Sequence, residues 1–162
     1  MPFYESSRRI SIYLSTEREV DTVNILERMF NDKEVFIPTY SGSVMDIVKL
    51  YDLNDYKNLP LTKWNIKQPK ENDRQRENPL LTAPLDLILM PGVAFTRNGG
   101  RMGHGMGYYD KYLKTYFNRF PDRQKINKTL LVGLAFQEQI VEDDQLPLDP
   151  HDYPLDLILT SD

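Results

Sequence analysis

Six of the chain's eight glycines lie between Gly92 and Gly107, within DLILMPGVAFTRNGGRMGHGMGYYDKYL at 86–113. Arg97, Arg101 and His104 stand among them, and Tyr108, Tyr109 and Asp110 follow. Glycine lets a backbone approach a ligand closely and turn where other residues cannot. An apolar run precedes these glycines and a helical pattern follows. A helix amino terminus adds unpaired N–H groups and a partial positive charge. Strand, glycine loop and helix together form a phosphate cradle. Glycines also collect in plain surface turns, so the cations and tyrosines in this run are what favour an anionic ligand.

The elements that must hold this loop read as α/β, because short apolar runs alternate with helical patterns. Ile10–Leu14 reads as a first strand. Val20, Val23, Leu26 and Phe30 follow helical spacing, with Asp21 placed to cap. Val35–Ile37 reads as a second strand stopped by Pro38, and Met45–Leu50 as a half-exposed strand. Residues 51–84 are polar and rich in proline, which predicts a long surface excursion, mobile around Lys70–Asn78. The hexapeptide PLDLIL occurs at 84–89 and again at 154–159. The flanks of the two copies diverge, so they read as two buried parallel-type strands and not as a duplicated module. Leu130–Phe136 supplies another central strand. After the glycine loop, Tyr108, Tyr112 and Tyr116 share one helical spacing, and Tyr109, Leu113 and Phe117 the next, which marks a mostly core-facing helix.

A length of 162 residues with 40% hydrophobic content predicts one folded domain over 1–162. No apolar run approaches the roughly 20 residues that span a bilayer. The first residues, MPFYESSRR, lack the apolar core of a secretory signal. The chain has no cysteine, which removes disulfides and thiolate metal sites, so a cytoplasmic location is expected. A net charge of −4 argues against nucleic acid as a partner.

The run GRMGHGMGYYD resembles the signature of the 5-formyltetrahydrofolate cyclo-ligase (methenyltetrahydrofolate synthetase) family, R-L-G-x-G-x-G-Y-Y-D after a strand ending in M-P-G. ISIYLSTEREVDT at 10–22, VFIPTY at 35–40, WNIKQP at 64–69 and LPLDPHDYPLDLILT at 146–160 match further family landmarks in order. The resemblance implies a three-layer α/β/α sandwich with a mostly parallel, Rossmann-like central sheet, its ligands meeting at the carboxyl ends of the strands. It implies ATP- and Mg2+-dependent closure of 5-formyltetrahydrofolate to 5,10-methenyltetrahydrofolate, with release of ADP and phosphate. In that reaction the formyl oxygen attacks the γ-phosphate, the second folate nitrogen attacks the formyl carbon, and phosphate leaves. The substrate is its own nucleophile, so the protein positions two ligands and neutralises charge.

Carried over from the motif, Gly103, Gly105 and Gly107 form the phosphate-contacting loop, with His104 and Met106 at its variable positions and Tyr108 and Tyr109 beside it. Arg101 neutralises triphosphate charge and is paired with Tyr108 as a catalytic candidate. Asp110 and Asp152 are the candidate Mg2+ ligands; the alternative for Asp110 is to complement the helix dipole, and for Asp152 to start a turn. His151 reads as a structural loop histidine. Glu19 matches a pterin-contacting position, where a carboxylate can accept two hydrogen bonds from an amino-pyrimidine edge. Tyr40 and Trp64 match aromatic positions lining the folate pocket, although a lone tryptophan is also a common core anchor.

The family helix that precedes the first strand, with its basic K-x-x-x-R pattern, has no expected counterpart, since MPFYESSRR is too short for it. That departure sets up an alternative, a folate-binding remnant without catalysis. A third reading, an RNA-associated module, would need a basic patch that the sequence does not display. The expected partners are 5-formyltetrahydrofolate, with or without a polyglutamate tail, and ATP; the expected state is a monomer, with no membrane partner.

Overall fold

The computed structural model describes residues 1–71, 73–146 and 153–160. Six strands form the central sheet: β1 (Arg9–Ser11), β2 (Glu34–Ser41), β3 (Val44–Leu50), β4 (Leu87–Met90), β7 (Leu130–Ala135) and β8 (Leu157–Thr160), in the order β3-β2-β1-β4-β7-β8. All neighbours are parallel except β2 and β3, which form an antiparallel hairpin. The chain leaves β1 for β2 on one side and later returns to β4 on the other. The carboxyl ends of β1 and β4 therefore flank the switch point where open sheets bind ligands.

Alternation along the strands sorts side chains onto two faces. Phe36, Ile88, Met90 and Leu131 join a core under helix α4 (Tyr108–Arg119). Val35, Ile37, Leu87, Leu89 and Val132 join a second core with Leu26 and Met29 of helix α2 (Val23–Asp32). The three-layer α/β/α arrangement follows directly. Helix α4 buries Tyr109, Tyr112, Leu113, Tyr116 and Phe117, the two spacings seen in the sequence. Tyr116 is also a polar hub, because its hydroxyl accepts from Leu85 N at 2.8 Å and pairs with Thr129 Oγ1 at 2.6 Å.

Several expectations need correction. Pro38 does not stop β2, which runs on to Ser41 opposite Val44. Ile12 N donates to Phe36 O at 2.9 Å, so the backbone groups of Phe36, and of Pro38 and Tyr40 two and four residues on, face the β1 side. Strand β1 ends at Ser11, so at Pro38 no ladder partner is missed. The helix after β1 starts at Val23; Asp21 nonetheless serves its amino terminus, accepting from Val23 N at 3.0 Å.

The 51–84 excursion carries a short helix, α3 (Leu53–Asn58). Within the stretch expected to be mobile around Lys70–Asn78, Arg76 is anchored to its surroundings. That side chain donates to Asp55 Oδ2 at 2.8 Å, to Asp73 Oδ2 at 2.9 Å and to the Lys49 carbonyl at 2.9 Å. The second PLDLIL copy is not fully buried: β8 is an edge strand, and Leu157 is 42% exposed. The repeat has a local explanation in its aspartates. Asp86 accepts from Arg8 N and Arg9 N as β1 starts, and Asp156 accepts from Leu131 N in β7. Each copy thus ties down the start of the strand beside it.

Ahead of β1, Pro2–Ser6 forms a short helix, α1, where no helix of the family's kind was expected. Lys33 Nζ donates to the carbonyls of Tyr4, Glu5 and Ser7 at the end of that helix. Arg9 is structural: it pairs with Glu77 at 2.8 Å and Glu34 at 3.2 Å. No helix among the described residues is long and apolar enough to cross a membrane.

Candidate active site

A cleft of about 740 Å³ opens at the switch point, lined by residues that follow β1, end β2 and follow β4. Its size is that of a small-molecule site. One wall is the glycine loop. The sequence suggested a direct run from strand to helix, but a hairpin intervenes: β5 (Ala94–Phe95) pairs with β6 (Arg101–Met102). Gly99 and Gly100 belong to the turn of that hairpin. Gly92 serves packing, since a Cβ there would lie 2.7 Å from Phe95 Cζ. Gly103, Gly105 and Gly107 face the cleft together with His104 and Met106. Arg97 lies apart, within 3.5 Å of Gln137 Oε1.

Arg101 is held from two sides. Its Nε donates to the Pro91 carbonyl at 2.6 Å, and its guanidinium lies over the Tyr109 ring, 5.0 Å from the centroid. A Cβ on Gly103 would come within 3.2 Å of that guanidinium, so glycine there leaves the arginine its place. Tyr109 is only 4% exposed, and its hydroxyl has no hydrogen-bond partner among the described residues. Burial pushes the Tyr109 hydroxyl well above its ordinary pKa, so it stays a neutral phenol.

Aromatic side chains line the cleft as well. Tyr40 and Tyr108 meet with ring centroids 4.8 Å apart, and the Tyr108 hydroxyl donates to the Gly42 carbonyl at 2.9 Å. That bond ties the first turn of α4 to the tip of the β2–β3 hairpin. Burial, reinforced by the Glu19 carboxylate, pushes Tyr40 up to about 12. Glu19 lies in a turn after β1, with Oε1 accepting from Thr16 N at 2.9 Å. Trp64 is 71% exposed with Lys63 Nζ 4.4 Å from its ring centroid, so it is no core anchor but a lining residue of the cleft.

Glu19, Tyr40, Trp64, Arg101, the 103–107 loop, Tyr108, Tyr109 and Asp110 therefore share one cleft. Asp152 and His151 lie outside the described residues. Among the described residues no group of three or more acids and histidines gathers to hold a metal ion. The carboxylate of Asp110, next to the glycine loop, suits a cation that keeps its waters and borrows phosphate oxygens, which is how Mg2+ accompanies a polyphosphate. The loop, the stacked Arg101 and the buried phenol of Tyr109 fit an anionic co-substrate beside it. Sequence reasoning missed Tyr13, Lys67 and Gln68, which also line the cleft. Lys67 and Gln68 stand in the same hexapeptide as Trp64, the one signal that could have drawn attention to them.

An α/β sheet with a ligand-sized cleft at its switch point, lined by a glycine loop and aromatic side chains, defines the class as a Rossmann-like α/β fold. A model of the 5-formyltetrahydrofolate cyclo-ligase family matches residues 1–161. The 5-formyltetrahydrofolate cyclo-ligase of Mus musculus is 43% identical over 162 residues, covering 98% of this chain and 76% of its own length. A probable 5-formyltetrahydrofolate cyclo-ligase of Caenorhabditis elegans is 39% identical over 160 residues, covering 97% and 74%. The NMR structure of Aquifex aeolicus 5,10-methenyltetrahydrofolate synthetase superposes with a TM-score of 0.73 at 30% identity, covering 99% of this chain and 72% of that one. The chain belongs to the 5-formyltetrahydrofolate cyclo-ligase family and is an enzyme of the ligase class.

Proposed function

We propose that the protein closes 5-formyltetrahydrofolate to 5,10-methenyltetrahydrofolate at the expense of ATP, releasing ADP and phosphate, in the cytosol and as a monomer. The observation that carries this reading is the cleft that the glycine loop shares with Glu19, Tyr40 and Trp64. Under it, Arg101 and the loop amides take the triphosphate, and the aromatic wall takes the folate, polyglutamylated or not. Glu19 accepts from the amino-pyrimidine edge of the pterin, in a cleft where aromatic walls strengthen each polar contact. Asp110, together with phosphate oxygens, would hold Mg2+, which would supply charge neutralisation for the transferred phosphoryl group. Arg101 is pre-oriented by Pro91 and Tyr109, so little reorganisation is needed as charge develops. The remaining work is alignment, bringing the formyl oxygen in line with the γ-phosphorus.

The test is absorbance in the methenyl-folate band for protein, 5-formyltetrahydrofolate and Mg2+, with and without ATP. An ATP-dependent rise that Arg101→Ala cuts by about 100-fold or more supports the reading. A flat trace from folded protein sinks it, and a trace unchanged by Arg101→Ala removes that residue's assigned role.

A further inference from the structure

Where β1 ends, strand β2 loses its neighbour, and a single side chain stands in for it. Gln68 Oε1 accepts from Tyr40 N at 3.1 Å, and Gln68 Nε2 donates to the Tyr40 carbonyl at 3.0 Å. One primary amide thus satisfies both backbone groups of Tyr40 that face the β1 side, a task that two successive partners on a longer β1 would have shared in a parallel ladder. Gln68 also closes the base of a small hairpin. Leu61 bridges Lys67, Thr62 N donates to Ile66 O at 2.8 Å, and Asn65 N to Thr62 O at 2.9 Å. Asn65 takes the left-handed conformation (φ 62°) that a three-residue hairpin loop asks for. Trp64 sits at the tip. From the other side Lys67 Nζ donates to the carbonyls of Tyr56 at 3.3 Å and Lys57 at 3.1 Å, at the end of α3.

We propose that Gln68 is a positioning residue: its amide clasp on Tyr40 fixes the Leu61–Lys67 hairpin, and through it Trp64, at the distance from Tyr40 that a flat heterocycle needs. The clasp joins the two aromatic residues of the folate wall through one side chain, so it sets their spacing. It acts on binding of the flat ligand and not on the phosphate side, because neither hydrogen bond reaches the glycine loop. The inference rests on the folate reading given above, and its test separates the two.

Trp64 is the sole tryptophan of the chain, so intrinsic fluorescence reports on that hairpin alone. In ligand-free protein, Gln68→Ala should lower the Trp64 anisotropy while the thermal melt stays cooperative. The same variant should raise KM for 5-formyltetrahydrofolate about 10-fold, with kcat and KM for ATP within about twofold. In a Trp64→Ala background, adding Gln68→Ala should change KM by less than about twofold, since the clasp acts through the indole. Unchanged anisotropy overturns the clasp whatever the substrate. A full KM effect that persists without Trp64, or an equal loss in kcat, overturns the positioning role. Wild-type protein that neither turns over nor shows a folate-dependent change in Trp64 emission defeats the folate reading instead. If Gln68→Ala does not fold, Gln68→Glu carries the same measurements, because it retains the acceptor for Tyr40 N but not the donor for the Tyr40 carbonyl.

Discussion

Alanine at Gly105 and, separately, at Gly99 makes a matched pair with opposite readouts. Both glycines have positive φ, +99° and +96°, where a side chain costs about 1–3 kcal/mol of backbone strain. Around Gly105 a new Cβ meets nothing within 4 Å. The loop can therefore relieve the strain by abandoning its conformation, turning its amides away from the cleft. Global stability then barely moves, by less than about 2 °C in Tm, while kcat/KM for ATP falls by about 5- to 150-fold, the same 1–3 kcal/mol read as a rate. At Gly99 the new Cβ would lie 2.5 Å from Leu155 O and 3.1 Å from Leu155 N, and Leu155 N already donates to Gly99 O at 2.8 Å. Relief there must break that hydrogen bond and shift a core leucine. We expect about 3 kcal/mol lost from the whole fold, or roughly 6–12 °C in a domain of this size. Thermal melts followed by circular dichroism, with steady-state kinetics at varied ATP, separate the two. A Gly105→Ala protein that melts as early as Gly99→Ala, or that keeps full kcat/KM for ATP, refutes the assignment of one glycine to the ligand and the other to packing.

Other outcomes follow from groups already described. Tyr116→Phe strands the buried Leu85 N–H and should cost about 1–3 kcal/mol. Tyr112→Phe, one turn earlier, deletes a buried hydroxyl with no partner among the described residues and should be neutral or stabilising. Urea denaturation compares them, and equal losses would refute the hub. The Arg76 guanidinium holds the Asp55 carboxyl below its ordinary 3.8, and both side chains are less than a tenth exposed. A carboxyl whose folded pKa is depressed stabilises fully above its unfolded value and loses that contribution as pH falls through the folded value. Asp55→Asn should therefore cost about 2–3 kcal/mol at pH 7, and the gap to wild type should narrow steadily below about pH 4. A gap that is the same at pH 3 as at pH 7 would show that charge is not what the pair contributes.

Much of this was legible because the physics involved is local. The continuous apolar run marked residues 84–89 as a strand buried on both faces, and helical spacing exposed the buried stripe of α4. The glycine run, with its cations and tyrosines, located the cleft wall. What escaped depended on partners distant in sequence. Proline reads as a strand stop unless one knows that β1 ends before reaching it. Nothing near Arg76 announces Asp55 as the partner that anchors a polar excursion. The division of the glycines between hairpin turn, packing against Phe95 and ligand loop is invisible until the hairpin β5–β6 is placed. Gln68 looked like one more polar residue in a polar stretch, because its partner is the backbone of Tyr40, and backbone leaves no trace in sequence.

The strand order also sets a timetable for folding. The β2–β3 hairpin joins neighbours in sequence and can close within microseconds. The ladder between β1 and β4 joins Ile10 to Leu87 and Ser11 to Ile88, the most distant pairing in the sheet, and closing so long a loop is entropically the costliest step. We expect that seam to zip last, and the cleft opens at its end. Active-site assembly and completion of the fold are then one event, with no half-folded species able to hold ligand. Conservative substitutions at Ile88 should accordingly speed unfolding and leave the folding rate nearly untouched; a slowed folding limb would place the seam in the nucleus instead. Ligand spanning the seam would act as a staple on the last step, so its protection against proteolysis should extend to strands far from the cleft.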